Sequence, residues 1–354
     1  MNIPLGIIEG FYGKPWTWAQ RAHTAATLAA HGYRFYLYAP KADVYLRRQW
    51  QQDYPPEWEA RFREFAAHCQ RHSVSFGIGL SPYQAYLNFD DAAKRALTRK
   101  LAQLQRLGMR QLAILFDDMR GDLPDLAERQ AEIVAWVRQR CEVERLLVCP
   151  SYYSSDPVLD RVFGQRPAGY LQQLGQWLAP DIDIFWTGEE VCSREISPGH
   201  LLQVGKWLGR KPVLWDNYPV NDGARMSQYL HLRGFTGRPA ANAELLAAHG
   251  VNPALQAALS LIPALTLADS YRLGPRYQYG ASMRRAAQAV AGEALADMLW
   301  HDLLALQDIG LDRLDERAVE LRGRYAALEH PCAREVVAWL DGEYRISELE
   351  VQTQ

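Results

Sequence analysis

About eight times along this chain a short apolar run is followed by a longer stretch with helical spacing, and that alternation constrains the fold more than any single residue does. The runs are Leu5–Ile8, Phe35–Tyr38, Ser75–Gly79, Leu112–Phe116, Arg145–Cys149, Ile182–Trp186, Pro212–Trp215 and a weaker one at Gly250–Val251. A regular alternation of strands with helices argues for a parallel sheet, because a parallel pair needs a long crossover connection, and it argues against a sandwich or a bundle. Helix signals fit between them: one segment opens at Thr17 and closes at Gly32, and another opens with Asp90 and Asp91, carries Leu97, Leu101 and Leu104 on one face, and stops at Gly108. Eight parallel strands make a closed barrel. The expected fold class is therefore α/β, a (β/α)8 barrel followed by a helical appendage.

The length agrees, since a barrel of this type takes about 250 residues and the chain has 354. From about Tyr279 the alternation stops, and Ala, Leu, Arg and Glu dominate with helical spacing, as at Val336-Val337-Leu340. The expected division is a catalytic barrel over residues 1–275 and a helical C-terminal appendage over 276–354, packed against the barrel or against a partner subunit in a homodimer. The apolar stretch Ala254–Ala268 is too short to span a bilayer and contains Gln256, Ser260 and Pro263, so it is expected to be a buried helix.

In a barrel of this kind, function sits in the loops after the strands' C-terminal ends. The most telling of these ends is Leu112-Ala-Ile-Leu-Phe-Asp-Asp-Met-Arg120, where an apolar strand buried on both faces runs into two adjacent carboxylates, Asp117 and Asp118. Two carboxyls at close range cannot both ionise freely, which suits acid/base work, although the same pair also serves as a turn, a helix cap or a metal ligand. Polar groups follow the other strands too: Glu9-Gly-Phe-Tyr-Gly13, Lys41, Pro150-Ser-Tyr-Tyr153, Thr187-Gly188, Asp216-Asn217 with Asn221-Asp222, and Asn252-Pro253. Turn chemistry explains each one alone; their convergence on one rim points to a site.

Charge and motifs narrow the chemistry. With 39 basic and 41 acidic residues the net charge is -2, which gives no electrostatic footprint for nucleic acid and no polybasic membrane patch. No His pair has metal spacing, no Gly-rich loop fits a phosphate motif and no Ser or Cys elbow appears, so neither a metal nor another cofactor is expected. The five cysteines lack paired spacing and read as reduced thiols, which with the absence of a leader-like start places the expected location in the cytoplasm. Carboxylates, amides and the aromatic rings of 11 Trp and 18 Tyr remain, a kit suited to sugars.

Those residues also carry a resemblance. Gly6-Ile-Ile-Glu-Gly-Phe-Tyr-Gly-Lys-Pro-Trp16, Tyr36-Leu-Tyr-Ala-Pro-Lys41, Leu115-Phe-Asp-Asp-Met119, Phe185-Trp-Thr-Gly188 and Trp215-Asp-Asn217 with Asn221-Asp222 resemble, in order, family 84 of the glycoside hydrolases, the protein O-GlcNAcases and bacterial β-N-acetylglucosaminidases. The resemblance implies a retaining enzyme that removes terminal β-linked N-acetylglucosamine, using the substrate's own acetamide as nucleophile through an oxazoline. By the matched motifs, Asp117 corresponds to the residue holding the acetamide N–H, Asp118 to the general acid and base, and Tyr153 to the tyrosine steadying the acetamide carbonyl. Trp215 corresponds to the wall behind the acetyl methyl with Asn217 beside it, and Gly10, Lys41, Asp222 and Asn252 to residues binding the sugar. The family usually has Pro-Thr-Glu-Tyr where this chain has Pro150-Ser-Tyr-Tyr153, so Tyr152 competes with Tyr153. The implied partner is a glycoprotein, glycopeptide or glycan bearing N-acetylglucosamine. A hyaluronidase-type endo-enzyme and a non-catalytic sugar-binding barrel are the alternatives.

Overall fold

The computed structural model describes residues 3–353. Strands β1 (Leu5–Glu9), β2 (Tyr33–Tyr38), β3 (Ser75–Leu80), β4 (Gln111–Leu115), β5 (Arg145–Cys149), β6 (Asp183–Trp186), β7 (Val213–Asp216) and β8 (Ala248–Val251) are all parallel and pair in chain order. The ring closes through β8 and β1, with Gly6 opposite Gly250 and Ile7 opposite Val251. The fold is the expected (β/α)8 barrel. Closure there depends on missing side chains: a Cβ on Gly250 would stand 2.3 Å from Cδ1 of Ile8, and one on Gly6 equally close to the Phe35 ring.

The helix signals lie where the sequence places them. Helix Trp18–Ala29 starts with a capping box, in which the Thr17 hydroxyl accepts the Gln20 N–H and the Gln20 side chain accepts the Thr17 N–H. Asp90 caps helix Asp91–Arg106, whose buried face includes Leu97, Leu101 and Leu104. After β8 comes the buried helix Ala257–Leu273, with Pro263 inside it. Among the described residues no helix is long and apolar enough to cross a membrane.

Helices Tyr279–Ala291, Glu293–His301, Glu316–Ala326, Pro331–Leu340 and Glu348–Thr353 complete the chain, and they pack on the barrel. Two contacts fix the docking. The buried Glu335 carboxylate accepts the N–H groups of Ala258 and Leu259, both at 2.9 Å, and so caps the helix that follows β8. The fully buried Trp339 donates its indole N–H to the Ser227 carbonyl, in the loop region after β7. Burial pushes the Glu335 carboxyl up to about 7, even though those N–H groups favour the charged form.

Candidate active site

Strand β4 ends where Phe116 N–H still reaches the Cys149 carbonyl, and the next two residues deliver both carboxylates into one cavity of about 210 Å³ at the C-terminal rim. Neighbouring residues on an extended strand would point to opposite faces. Here the chain escapes that alternation because Asp118 adopts φ +55°, a left-handed conformation that costs about 1 kcal/mol or more in a non-glycine residue. Its surroundings hold it there. Tyr12 Oη donates to Asp118 Oδ2 at 2.7 Å, Tyr153 Oη donates to Oδ1 at 2.9 Å, and Arg47 Nη2 donates to the Asp118 backbone carbonyl at 3.2 Å.

Asp117 is held differently. Lys41 makes a close ion pair with Asp117 Oδ2 and stands 3.6 Å from Asp118 Oδ2, while the other oxygen of Asp117, Oδ1, is buried with no hydrogen-bond partner. A buried carboxylate oxygen without a protein donor costs about 1–3 kcal/mol, and this one belongs to a residue that lines the cavity.

Electrostatics separate the acids further. Burial acts to raise the Asp118 pKa, but the charges of Lys41 and Arg47 and the hydrogen bonds of Tyr12 and Tyr153 outweigh it and hold the carboxyl below its usual range. The two phenols move the other way, raised well above normal by burial and by the charge of Asp118, so both remain protonated donors. The acid that burial raises is Asp222, pushed up to about 6 with a further contribution from the charge of Asp118. The adjacent pair itself is expected to contain the raised acid; Asp118 is instead held low by the cations and phenols around it, and the raised acid comes from the β7 loop.

The remaining expected residues meet in the same cavity. Gly10, Lys41, Asp117, Asp118, Tyr153, Trp215, Asn217, Asp222 and Asn252 all line it. Gly10 must lack a side chain, because a Cβ would lie 2.2 Å from Cζ2 of Trp215, whose ring packs edge-on against Phe185. Asp222 Oδ2 accepts the Tyr12 N–H at 2.9 Å. Behind them the Gly10 N–H donates to Asn252 Oδ1, the Asn252 amide to Asn217 Oδ1, and the Asn217 amide to the Val191 carbonyl, a relay that ties together the four loops after β1, β8, β7 and β6.

Three rim residues turn away from the cavity. Glu9 is fully buried against Arg21 and Tyr36, and Asp216 is buried against Arg238 and His249, so both acids serve the fold. Tyr152 donates to the Gly164 carbonyl and leaves the cavity to Tyr153. Four cysteines are buried as expected, whereas Cys192 is exposed at the cavity wall. Sequence reasoning missed Tyr12, Arg47 and Val351. Tyr12 sat inside a quoted stretch but beside Phe11, where an aromatic reads as core; Arg47 and Val351 carried no local pattern. Among the described residues no three His, Cys, Asp or Glu side chains are grouped to hold a metal ion.

A rim cavity lined by carboxylates, amides and a tryptophan, with an acid pair at a strand end of a (β/α)8 barrel, is the architecture of a barrel-type glycosidase. The chain belongs to the beta-N-acetylglucosaminidase family, family 84 of the glycoside hydrolases, whose model matches residues 5–301. It is 32% identical over 226 residues to the protein O-GlcNAcases of Mus musculus and Rattus norvegicus, a match covering 61% of this chain and 24% of each relative. The aligned part thus spans about a quarter of those relatives' length. A solved structure of a mutant O-GlcNAc hydrolase from Thermobaculum terrenum superposes with a TM-score of 0.79 at 29% identity, covering 96% of this chain and 80% of that one.

Proposed function

We propose that this chain is a retaining β-N-acetylglucosaminidase of the O-GlcNAcase type, removing a terminal β-linked N-acetylglucosamine by substrate-assisted catalysis. The observation that carries this reading is the buried, unpartnered Asp117 Oδ1, an acceptor awaiting one N–H beside a second carboxylate. An acetamide supplies that N–H. With the acetamide so held, its carbonyl oxygen attacks the anomeric carbon as the glycosidic bond breaks, Asp118 gives its proton to the leaving oxygen, and Asp117 stabilises the charge on the resulting oxazoline. Asp118 then takes a proton from water as that water opens the ring, and retention follows from two inversions. Filling the cavity excludes water from Asp118 and sets a neutral oxygen against it, which favours the protonated acid that the first step needs.

The other residues take roles consistent with their positions. Tyr153 steadies the acetamide carbonyl, Trp215 backs the methyl, and Lys41, Asp222, Asn217, Asn252 and the Gly10 backbone hold the sugar. Lys41 makes a close ion pair with Asp117 and stands 3.6 Å from Asp118, so one cation serves both carboxylates. A cavity of about 210 Å³ supports removal of a terminal sugar over cleavage within a chain. The relatives are protein O-GlcNAcases, which supports a protein or peptide aglycone, and four buried free thiols support a reducing, cytoplasmic setting. We assign the barrel to residues 1–275 and the helical appendage to 276–354. The test is nitrophenol release from 4-nitrophenyl β-N-acetylglucosaminide against the glucoside lacking the acetamide. Turnover of the first alone is expected; equal turnover of both, or of neither, contradicts the proposal.

A further inference from the structure

The role of the helical C-terminal region is unassigned by the chemistry above, yet the chain returns to the active site there. Val351, in helix Glu348–Thr353, lines the same cavity as Asp117, Asp118 and Asp222. The preceding residues hold it in place. Ile346 is buried against Gly13, where an added Cβ would lie 2.6 Å from Cδ1 of Ile346, and the Ile346 N–H donates to Ser227 Oγ at 3.3 Å. Lys14 pairs with Glu343 at 2.8 Å and stands over the Tyr344 ring. The segment is therefore wedged between the β1 loop that presents Tyr12 and the β7 loop that presents Asp222, and it leaves that wedge at the cavity.

We infer that helix Glu348–Thr353 is the outer wall of the active site and that Val351 determines which leaving groups fit. The inference rests on the proposed glycosidase reading and adds to it. A valine side chain has no proton to give and no hydrogen bond to offer, so it acts through shape alone. The polar groups that a sugar needs, and the aromatic wall for its methyl, already come from the barrel loops. What remains for an apolar wall supplied from outside the barrel is the leaving group. In this account the barrel loops recognise the sugar and the appendage limits the width of what is attached to it.

Two full-length variants test this, each compared with the wild type on 4-nitrophenyl β-N-acetylglucosaminide and on a peptide carrying N-acetylglucosamine on serine. Val351→Ala is expected to raise the peptide-to-aryl ratio of kcat/KM, and Val351→Trp to lower it, each by about tenfold, the scale on which a few methylenes in a pocket discriminate. An unchanged melting temperature checks that each variant is folded. A ratio that stays constant in both variants overturns the inference. If the wild type turns over neither substrate, the glycosidase reading fails on its own, and calorimetric titration with free N-acetylglucosamine and with the glycopeptide decides the wall. Weaker peptide binding in Val351→Trp with sugar binding little changed supports it, and equal weakening overturns it.

Discussion

Glu9 and Asp117 occupy equivalent places, each at the C-terminal end of a barrel strand, each buried and each beside a cation, but they are completed to different degrees. Glu9 receives Arg21 on both oxygens and the Tyr36 hydroxyl as well. Asp117 receives Lys41 on one oxygen and nothing on the other. A carboxylate whose oxygens are all engaged has no capacity left for a ligand, and its pairing serves the fold. One with an oxygen that no protein donor reaches keeps that capacity, and the left-handed backbone of Asp118 next to it is a local cost at the same place. Glu9 and Asp117 thus differ in whether the protein engages both oxygens, whereas Asp118, which accepts Tyr12 and Tyr153 on its two oxygens, is set apart from Glu9 by facing the cavity.

Substitutions should divide along that line. The largest effect is expected for Asp118→Asn, a loss of about 10³- to 10⁴-fold in kcat on a glycopeptide, with a smaller loss on a nitrophenyl substrate whose leaving group needs less protonation. Equal losses on both would remove the general-acid role. Glu9→Gln is the counterpart: removing one member of a buried pair should lower stability by about 3–5 kcal/mol in a urea titration. Activity per folded molecule should stay near wild type, and a specific loss of kcat would move Glu9 into the chemistry. Next in size, Lys41→Ala should cost about 10²- to 10³-fold in kcat/KM, since it removes a charge-assisted bond and leaves Asp117 uncompensated. Wild-type kinetics would show that the ion pair has no part in catalysis.

Glu335 extends the comparison as an acid satisfied by backbone N–H groups and not by a guanidinium. Its pKa is raised to about 7, so the folded state binds this proton more tightly than the unfolded chain does. Its contribution is therefore fully present below the unfolded value near 4.5 and is lost as pH rises through 7. Asp216 runs the opposite way: Arg238 and His249 overcome its burial and hold it at about 2, so its contribution is present above 3.8 and lost as pH falls through 2. The difference in unfolding free energy between the wild type and Glu335→Gln should shift against the wild type by about 3 kcal/mol at most from pH 5 to pH 8, because only the wild type carries this titration. A difference that stays constant with pH would mean that Glu335 does not titrate in this range.

Much of this was legible in the sequence, for reasons that can be located. Strand β4 is five apolar or large residues between helix signals, and Thr17 with Gln20, or Asp90, announce their helices locally. Strand β8 is nearly invisible because Ala-His-Gly-Val has little strand character: its glycine answers to Ile8 and its histidine to Asp216, residues of the neighbouring strands β1 and β7 that are distant in sequence. The rim residues could be named because each follows a strand, but whether an acid faces the cavity could not. Asp216 and Asn217 are adjacent, and only the second lines the site. Arg47 acts through a backbone carbonyl and Val351 arrives from a distant helix, so neither leaves a periodic or motif signal.

If the open oxygen of Asp117 holds the N–H of the acetamide, that acetamide is itself the nucleophile. That nucleophilic role is tested most directly by kcat/KM on a series of aryl N-acetylglucosaminides with none, one, two or three fluorines on the acetyl methyl, measured for the wild type and Asp117→Asn. The account predicts that the wild-type rate falls steadily with each fluorine, because the carbonyl becomes a poorer nucleophile, and that Asp117→Asn is slower throughout by about 10²- to 10³-fold. A wild-type rate indifferent to fluorination, or a sugar trapped covalently on a protein carboxylate, would contradict it.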